Sequence, residues 1–312
     1  MRIVLISLVM FLMSSVSYAR DQISIVGSST VFPFSTVVAE KVGKKGIKTP
    51  VIESTGTGGG MKLFCKGIGV HTPDMTNASR AIKPKEKKMC FENGVTDISQ
   101  VIVGLDGIAI IHSASNNAVN FTVEQLWQAL SAKGSLPTKW SDIDSSLPNI
   151  KISVLVPPPT SGTRDAFNSL VMSKGCAKEI KSANKKDCTL LREDGAAIEA
   201  GENDTLIINK IVGDPNNFGI LGYSYYDNSR DKLIAATING KSISLDTIQD
   251  GSYPISRPLY FYVKNQHIGV IPGIEKYIKE FTSKRAIGKR GYLTDKGLVP
   301  LANPQEAITQ VK

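Results

Sequence analysis

A chain of 312 residues with 41% apolar and 21% charged side chains has the composition of a folded globular protein and excludes an intrinsically disordered one. The length exceeds the usual need of one compact core, so two lobes are expected. The formal charge of +9 favours anionic partners at long range without identifying one.

Residues 1–19 read as a secretory signal peptide: Arg2, an apolar run over 3–13, then small residues up to Ala19. The run is shorter than the roughly 20 apolar residues of a membrane span. No cysteine stands at the cleavage point, which argues against a lipid anchor there. The expected mature chain starts at Arg20 or Asp21 and is periplasmic. Losing Arg2 lowers the charge from +9 to +8.

Apolar spacing then predicts a strand over 23–26 and a helix over 33–42, with Phe34, Val37, Val38 and Val42 on one face. A strand over 49–52 and a helix over 59–65 follow. Strands over 98–103 and 108–111 are separated by the segment from Gly104 to Gly107. A helix over 123–130 takes Thr122 as its cap. A strand over 152–156 stops at Pro157, Pro158 and Pro159, before a helix over 164–172. Further on are a helix over 206–212, strands over 218–223, 233–238 and 259–263, and a helix over 274–281. The basic run over 83–88 is a solvated helix face rather than a nucleic-acid patch, and export also argues against nucleic acid.

Strands alternating with helices indicate an α/β fold with largely parallel sheets. The chain is expected to leave the first lobe near 104–107 and return near 256–259. The domains would then be 20–105 plus 260–312, and 106–259. Two connecting strands make a hinge, and the cleft between the lobes is the natural ligand site.

Four cysteines, Cys65, Cys90, Cys176 and Cys188, allow three pairings. Proximity in sequence favours Cys65 with Cys90 and Cys176 with Cys188. There is no C-x-x-C, and only His71 near Cys65 has ligand-like spacing, so a metal site is not expected.

Three times an apolar strand enters a turn rich in Ser, Thr and Gly before a helix. These are Gly27-Ser28-Ser29-Thr30, Ser54-Thr55-Gly56-Thr57-Gly58, and Thr160-Ser161-Gly162-Thr163. A helix start offers unpaired N–H groups and partial positive charge, which suits a phosphate-like anion. Capping alone needs one hydroxyl per helix, and these turns supply more. The second turn lacks the G-K-[ST] ending of a nucleotide P-loop. His71, His112 and His267 form no recognisable nucleophile–base motif with Ser161. An enzyme is therefore not expected. An exported phosphatase is the alternative from that class, predicting turnover of a phosphate ester. A sensor or surface-interaction protein that has kept the fold is another alternative.

Several segments resemble the periplasmic phosphate-binding protein of bacterial phosphate ABC importers. They are Gly27-Ser-Ser-Thr-Val-Phe-Pro-Phe34, Glu53-Ser-Thr-Gly-Thr-Gly-Gly-Gly60, Asn77-Ala-Ser-Arg80 and Pro159-Thr-Ser-Gly-Thr-Arg-Asp-Ala-Phe167. The resemblance implies a two-lobed type II binding-protein fold that closes on inorganic phosphate and docks on a membrane permease as a monomer, without a cofactor. It implies anion-binding roles for Ser28, Ser29, Thr30, Thr57, Gly58, Ser161, Gly162 and Thr163. Two positions depart from the family. Arg80 stands where many members carry an Asp that accepts the proton of hydrogen phosphate. Pro157 stands where many carry an Arg. Arg80 and Arg164 are then the candidate cations. Glu53, Glu193, Asp194 or Glu202 is the candidate replacement acceptor. An alternative keeps the fold and takes sulfate, molybdate or tungstate as the ligand.

Overall fold

The computed structural model describes residues 20–159, 161–201, 204–303 and 308–310. The signal peptide assigned to 1–19, Thr160 and Glu202 lie outside the described residues. No helix among the described residues is long and apolar enough to cross a membrane.

The first strand, β1 (Ser24–Gly27), buries Ile25 and Val26. It ends on Gly27 at φ 126°, where an added Cβ would lie 2.2 Å from the Asn77 carbonyl oxygen. Only glycine allows that backbone approach. Helix α1 (Phe32–Gly43) carries Pro33 in its first turn and buries Phe34, Val38 and Val42. β2 (Val51–Ser54) leads into α2 (Gly56–Phe64), which buries Met61 and Phe64. β3 (Met75–Ala78) is a strand that the sequence pattern did not show. Its residues Thr76 and Asn77 are polar yet buried, so no apolar alternation marks it. α3 (Pro84–Glu92) contains the basic run, and only Cys90 of this helix is buried.

β4 (Ile98–Ser113) is one strand of 16 residues, not the two expected. Gly104 and Gly107 make room for neighbours rather than breaking it. A Cβ on Gly104 would meet the Leu298 side chain at 2.7 Å, and one on Gly107 would meet Ile248 at 2.5 Å. β5 (Asn120–Phe121) precedes α4 (Val123–Leu130). The Gln125 N–H donates to Thr122 Oγ1 at 3.1 Å, and the Thr122 N–H donates to Gln125 Oε1 at 2.8 Å. β6 (Val154–Val156) and α5 (Gly162–Phe167) follow. The remaining strands are β7 (Ala197–Glu199), β8 (Phe218–Gly222), β9 (Leu233–Ala235), β10 (Thr237–Ile238), β11 (Ser256–Lys264) and β12 (Ile308–Gln310). The expected late helix is Ile274–Phe281, burying Ile274, Tyr277 and Phe281.

The main sheet runs β2-β1-β3-β11-β4-β8-β6-β7, with β9 and β12 also on β4. β1 is parallel to β2 and β3, and β6 is parallel to β7 and β8. Between these parallel halves, β4 and β11 pair antiparallel along their length, with Arg257 opposite Asp106. Buried side chains form separate clusters at the two ends of this strand pair. One draws on Ile108 to Ile255 and Val299. Another combines Ile23 to Val103 with Leu259 to Leu298, and a third gathers Met61, Phe64, Cys65, Cys90, Ile98 and Tyr262. The disulfides join Cys65 to Cys90 and Cys176 to Cys188, as proximity in sequence suggested.

His112, near the end of β4, is fully buried, and neither ring nitrogen has a partner among the described residues. Burial pushes its pKa from 6.5 down to about 4. A folded pKa below the unfolded one contributes stability above pH 6.5 that is lost as pH falls through 4. Full protonation removes up to about 3 kcal/mol. His112→Phe is therefore expected to show a smaller drop in melting temperature than the parent between pH 6.5 and pH 4, measured by calorimetry. Equal drops would show that another group controls acid sensitivity.

Candidate anion-binding cleft

The three Ser/Thr/Gly turns lie at the ends of β1, β2 and β6, beside the long strand pair. Ser28 is buried, and its hydroxyl has no partner among the described residues. Ser29 is half-buried. Thr30 is buried, donates from Oγ1 to the Gly162 carbonyl at 3.3 Å, and accepts from Arg257 Nη2 at 3.0 Å. The first and third turns therefore touch across the cleft. An added Cβ on Gly162 would lie 2.6 Å from Thr30 Cα, so this approach requires glycine.

The second turn supplies Thr57, while Gly58 stands exposed beside it. Thr57 Oγ1 accepts from the Ser79 N–H at 3.1 Å, and its hydroxyl pairs with Ser79 Oγ at 3.1 Å. Ser79 Oγ in turn donates to Asp165 Oδ2 at 3.3 Å. Ser161 caps α5 by accepting the Thr163 N–H at 3.2 Å. Ser29, Thr30, Asp106, Ser161, Gly162 and Thr163 line a cavity of about 300 Å³.

The cations are arranged differently from the simplest expectation. Arg80 makes a bidentate pair with Glu86, at 2.7 and 2.8 Å, and this pair raises its pKa. It lies within electrostatic reach of Asp165. Arg164 donates to the Pro157 carbonyl at 2.9 Å and to Asn168 Oδ1 at 3.3 Å, and burial lowers its pKa.

Sequence reasoning missed Arg257. This buried guanidinium on β11 faces Asp106 at 3.4 Å, Thr30 Oγ1 at 3.0 Å and Asp165 Oδ2 at 3.4 Å. Burial raises the pKa of Asp106, the Arg257 charge opposes that shift, and Asp165 reinforces it. Two opposite charges in the two expected crossing segments were the available signal. Of the four acceptors named from the sequence, Asp194 is paired with Arg192, Glu53 and Glu193 are exposed, and Glu202 lies outside the described residues. Asp106 and Asp204 line the cavity, and Asp165 stands beside it against Ser79 and Arg257.

Hydroxyls and backbone donors of Ser29, Thr30, Ser161, Gly162 and Thr163 line one small cavity, and the buried Arg257 guanidinium is held against Thr30; together they provide the donor set for a compact oxyanion. Comparison with known proteins agrees with this chemistry. Residues 14–285 match the family model described as a PBP superfamily domain. The chain is similar to the protein SphX of Synechococcus elongatus, at 31% identity over 265 residues, covering 82% of this chain and 72% of the relative. It is equally similar to the phosphate-binding protein PstS of Staphylococcus saprophyticus, at 31% over 260 residues, covering 81% and 73%. A crystal structure of a possible phosphate-binding protein from Planctomyces limnophilus superposes with a TM-score of 0.73 at 27% identity, covering 90% and 93% of the two chains. An ABC-type phosphate transport receptor from Vibrio cholerae shares the fold at a TM-score of 0.65, with 20% identity and 89% and 100% coverage. The two-lobed α/β architecture and these similarities together make the chain a member of the PBP superfamily and, within it, of the PstS-like phosphate-binding protein family.

Proposed function

We propose that this protein captures inorganic phosphate in the periplasm, reversibly and without turning it over, and delivers it to the membrane permease of an ABC importer. The observation that carries this reading is the meeting of the Thr30 and Gly162 turns beside Arg257 and Ser79. The names of the relatives support phosphate as the anion. Under this reading the chain divides into 20–105 plus 260–312 and 106–259, with β4 and β11 as the flexing pair; the separate buried clusters support a two-lobed division. The protein acts as a monomer after cleavage of its signal peptide.

Under this reading Ser28, Ser29, Thr30, Thr57, Ser161, Gly162 and Thr163 give hydroxyl and N–H donors, and Arg80 and Arg257 give positive charge. Several charge-assisted hydrogen bonds of roughly 1.5–3 kcal/mol each supply the approximately 8 kcal/mol of micromolar binding after the costs of association.

Ser161→Ala is expected to weaken phosphate binding by about tenfold to 100-fold and to cost about 1 kcal/mol of stability through the lost cap. Gly162→Ala is expected to weaken binding more than its effect on folding explains, because the added Cβ obstructs the approach of Thr30. Titration calorimetry and thermal melts separate the two effects. Parent-like phosphate affinity in both variants would remove this cleft as the site.

A further inference from the structure

We infer that a cavity at the outer end of β4, floored by His112 and rimmed by Asn116, Asn117, Asn120 and Asn216, is a second binding site that takes an uncharged saccharide. It is separate from the anion cleft, because His112 lies six positions beyond Asp106 on one strand, a span of about 20 Å. Its volume is about 490 Å³, within the range of small-molecule sites.

The lining determines the ligand class. Among the described residues no Asp, Glu, Lys or Arg contributes to it, although the whole chain has a formal charge of +9. An anionic or cationic ligand would be desolvated there without a counter-charge. A purely apolar ligand would leave the Asn117 amide and His112 unpaired. His112 is fully buried, and both its nitrogens lack a partner among the described residues. Because burial keeps it neutral, it offers one donor and one acceptor. Its ring packs against Phe218 with centroids 5.1 Å apart.

Of the rim amides, Asn116 gives its NH₂ group to the Pro215 carbonyl at 2.6 Å and Asn216 gives its own to Asp214 Oδ1 at 3.1 Å, which leaves their carbonyl oxygens as acceptors. Asn117 makes no side-chain hydrogen bond within the described protein. Asn120 uses its carbonyl oxygen on Thr237 Oγ1 and the Gly240 N–H, leaving its NH₂ group. Sugar hydroxyls both donate and accept, so they match amides and a neutral imidazole. Val119, Leu147, Pro148 and Ile150 provide apolar wall for the C–H faces of a sugar ring.

The test is saturation-transfer NMR on the mature protein with maltose as the probe and gluconate as its charged counterpart. Transfer to maltose and not to gluconate is expected, with movement of the His112 imidazole signals. The Asn117→Ala/Asn216→Ala double variant should weaken maltose binding by about tenfold, and His112→Phe should abolish it. Both should leave phosphate affinity unchanged. Absence of transfer at millimolar maltose, with only water in the cavity, overturns the proposal. So does gluconate matching maltose, or maltose binding undiminished in the double variant, which keeps the buried ring and its packing.

Discussion

Arg257→Leu is expected to weaken phosphate binding by at least about 100-fold, the scale of truncating one partner of a buried charge pair. The guanidinium reaches Thr30 on one turn, Asp165 from α5 and Asp106 on the adjacent strand. Its loss removes a cation from the cleft and leaves the half-buried Asp106 without a counter-charge. Breaking such a pair costs about 3–5 kcal/mol. The sign of its pH dependence follows from Asp106, whose pKa is raised by burial and rises further without Arg257. A raised folded pKa gives a contribution that is present at acid pH and lost as pH rises through the folded value. The variant should therefore lie closest to the parent in stability at acid pH and fall furthest behind at neutral pH. Calorimetric titration with phosphate and melts across pH measure both effects. Parent-like affinity would place Arg257 in the hinge only.

Asp165→Asn is expected to lower the preference for phosphate over sulfate by about 100-fold, through loss of a charge-assisted hydrogen bond to phosphate and relief of repulsion towards sulfate. The Asp165 carboxylate lies 3.3 Å from Ser79 Oγ and 3.4 Å from Arg257 Nη2. An oxyanion seated on those donors must lie beside it. Two anionic oxygens in contact need a proton between them. Hydrogen phosphate carries one, and sulfate at neutral pH does not. In the variant the amide can donate to sulfate instead. Competition titrations of parent and variant with both anions read the ratio directly. An unchanged ratio would remove Asp165 as the selecting group.

The parts of the fold visible in sequence were those with apolar period. The helices Val123–Leu130 and Ile274–Phe281 were read at their observed ends, and the strand before the three prolines was read at its buried residues. β3 escaped because Thr76 and Asn77 are buried through tertiary contacts rather than through their own apolarity. With it went Ser79, whose role depends on Thr57 and Asp165, which are distant in sequence. The continuity of β4 escaped because Gly104 and Gly107 are punctuation in one dimension and packing clearance in three. Arg257 stood in a segment read as a connector, next to Pro258. Only the register that sets it opposite Asp106 shows the ion pair. The hydroxyl-rich turns were legible because three copies of one local pattern exceed the needs of capping.

The measurement that tests phosphate capture most directly is a calorimetric titration of the phosphate-stripped mature protein with phosphate, with sulfate present in excess. Saturable binding of one phosphate per chain, at micromolar affinity or tighter and retained in sulfate, is the expected result. No binding of phosphate, or complete displacement by sulfate, would contradict it.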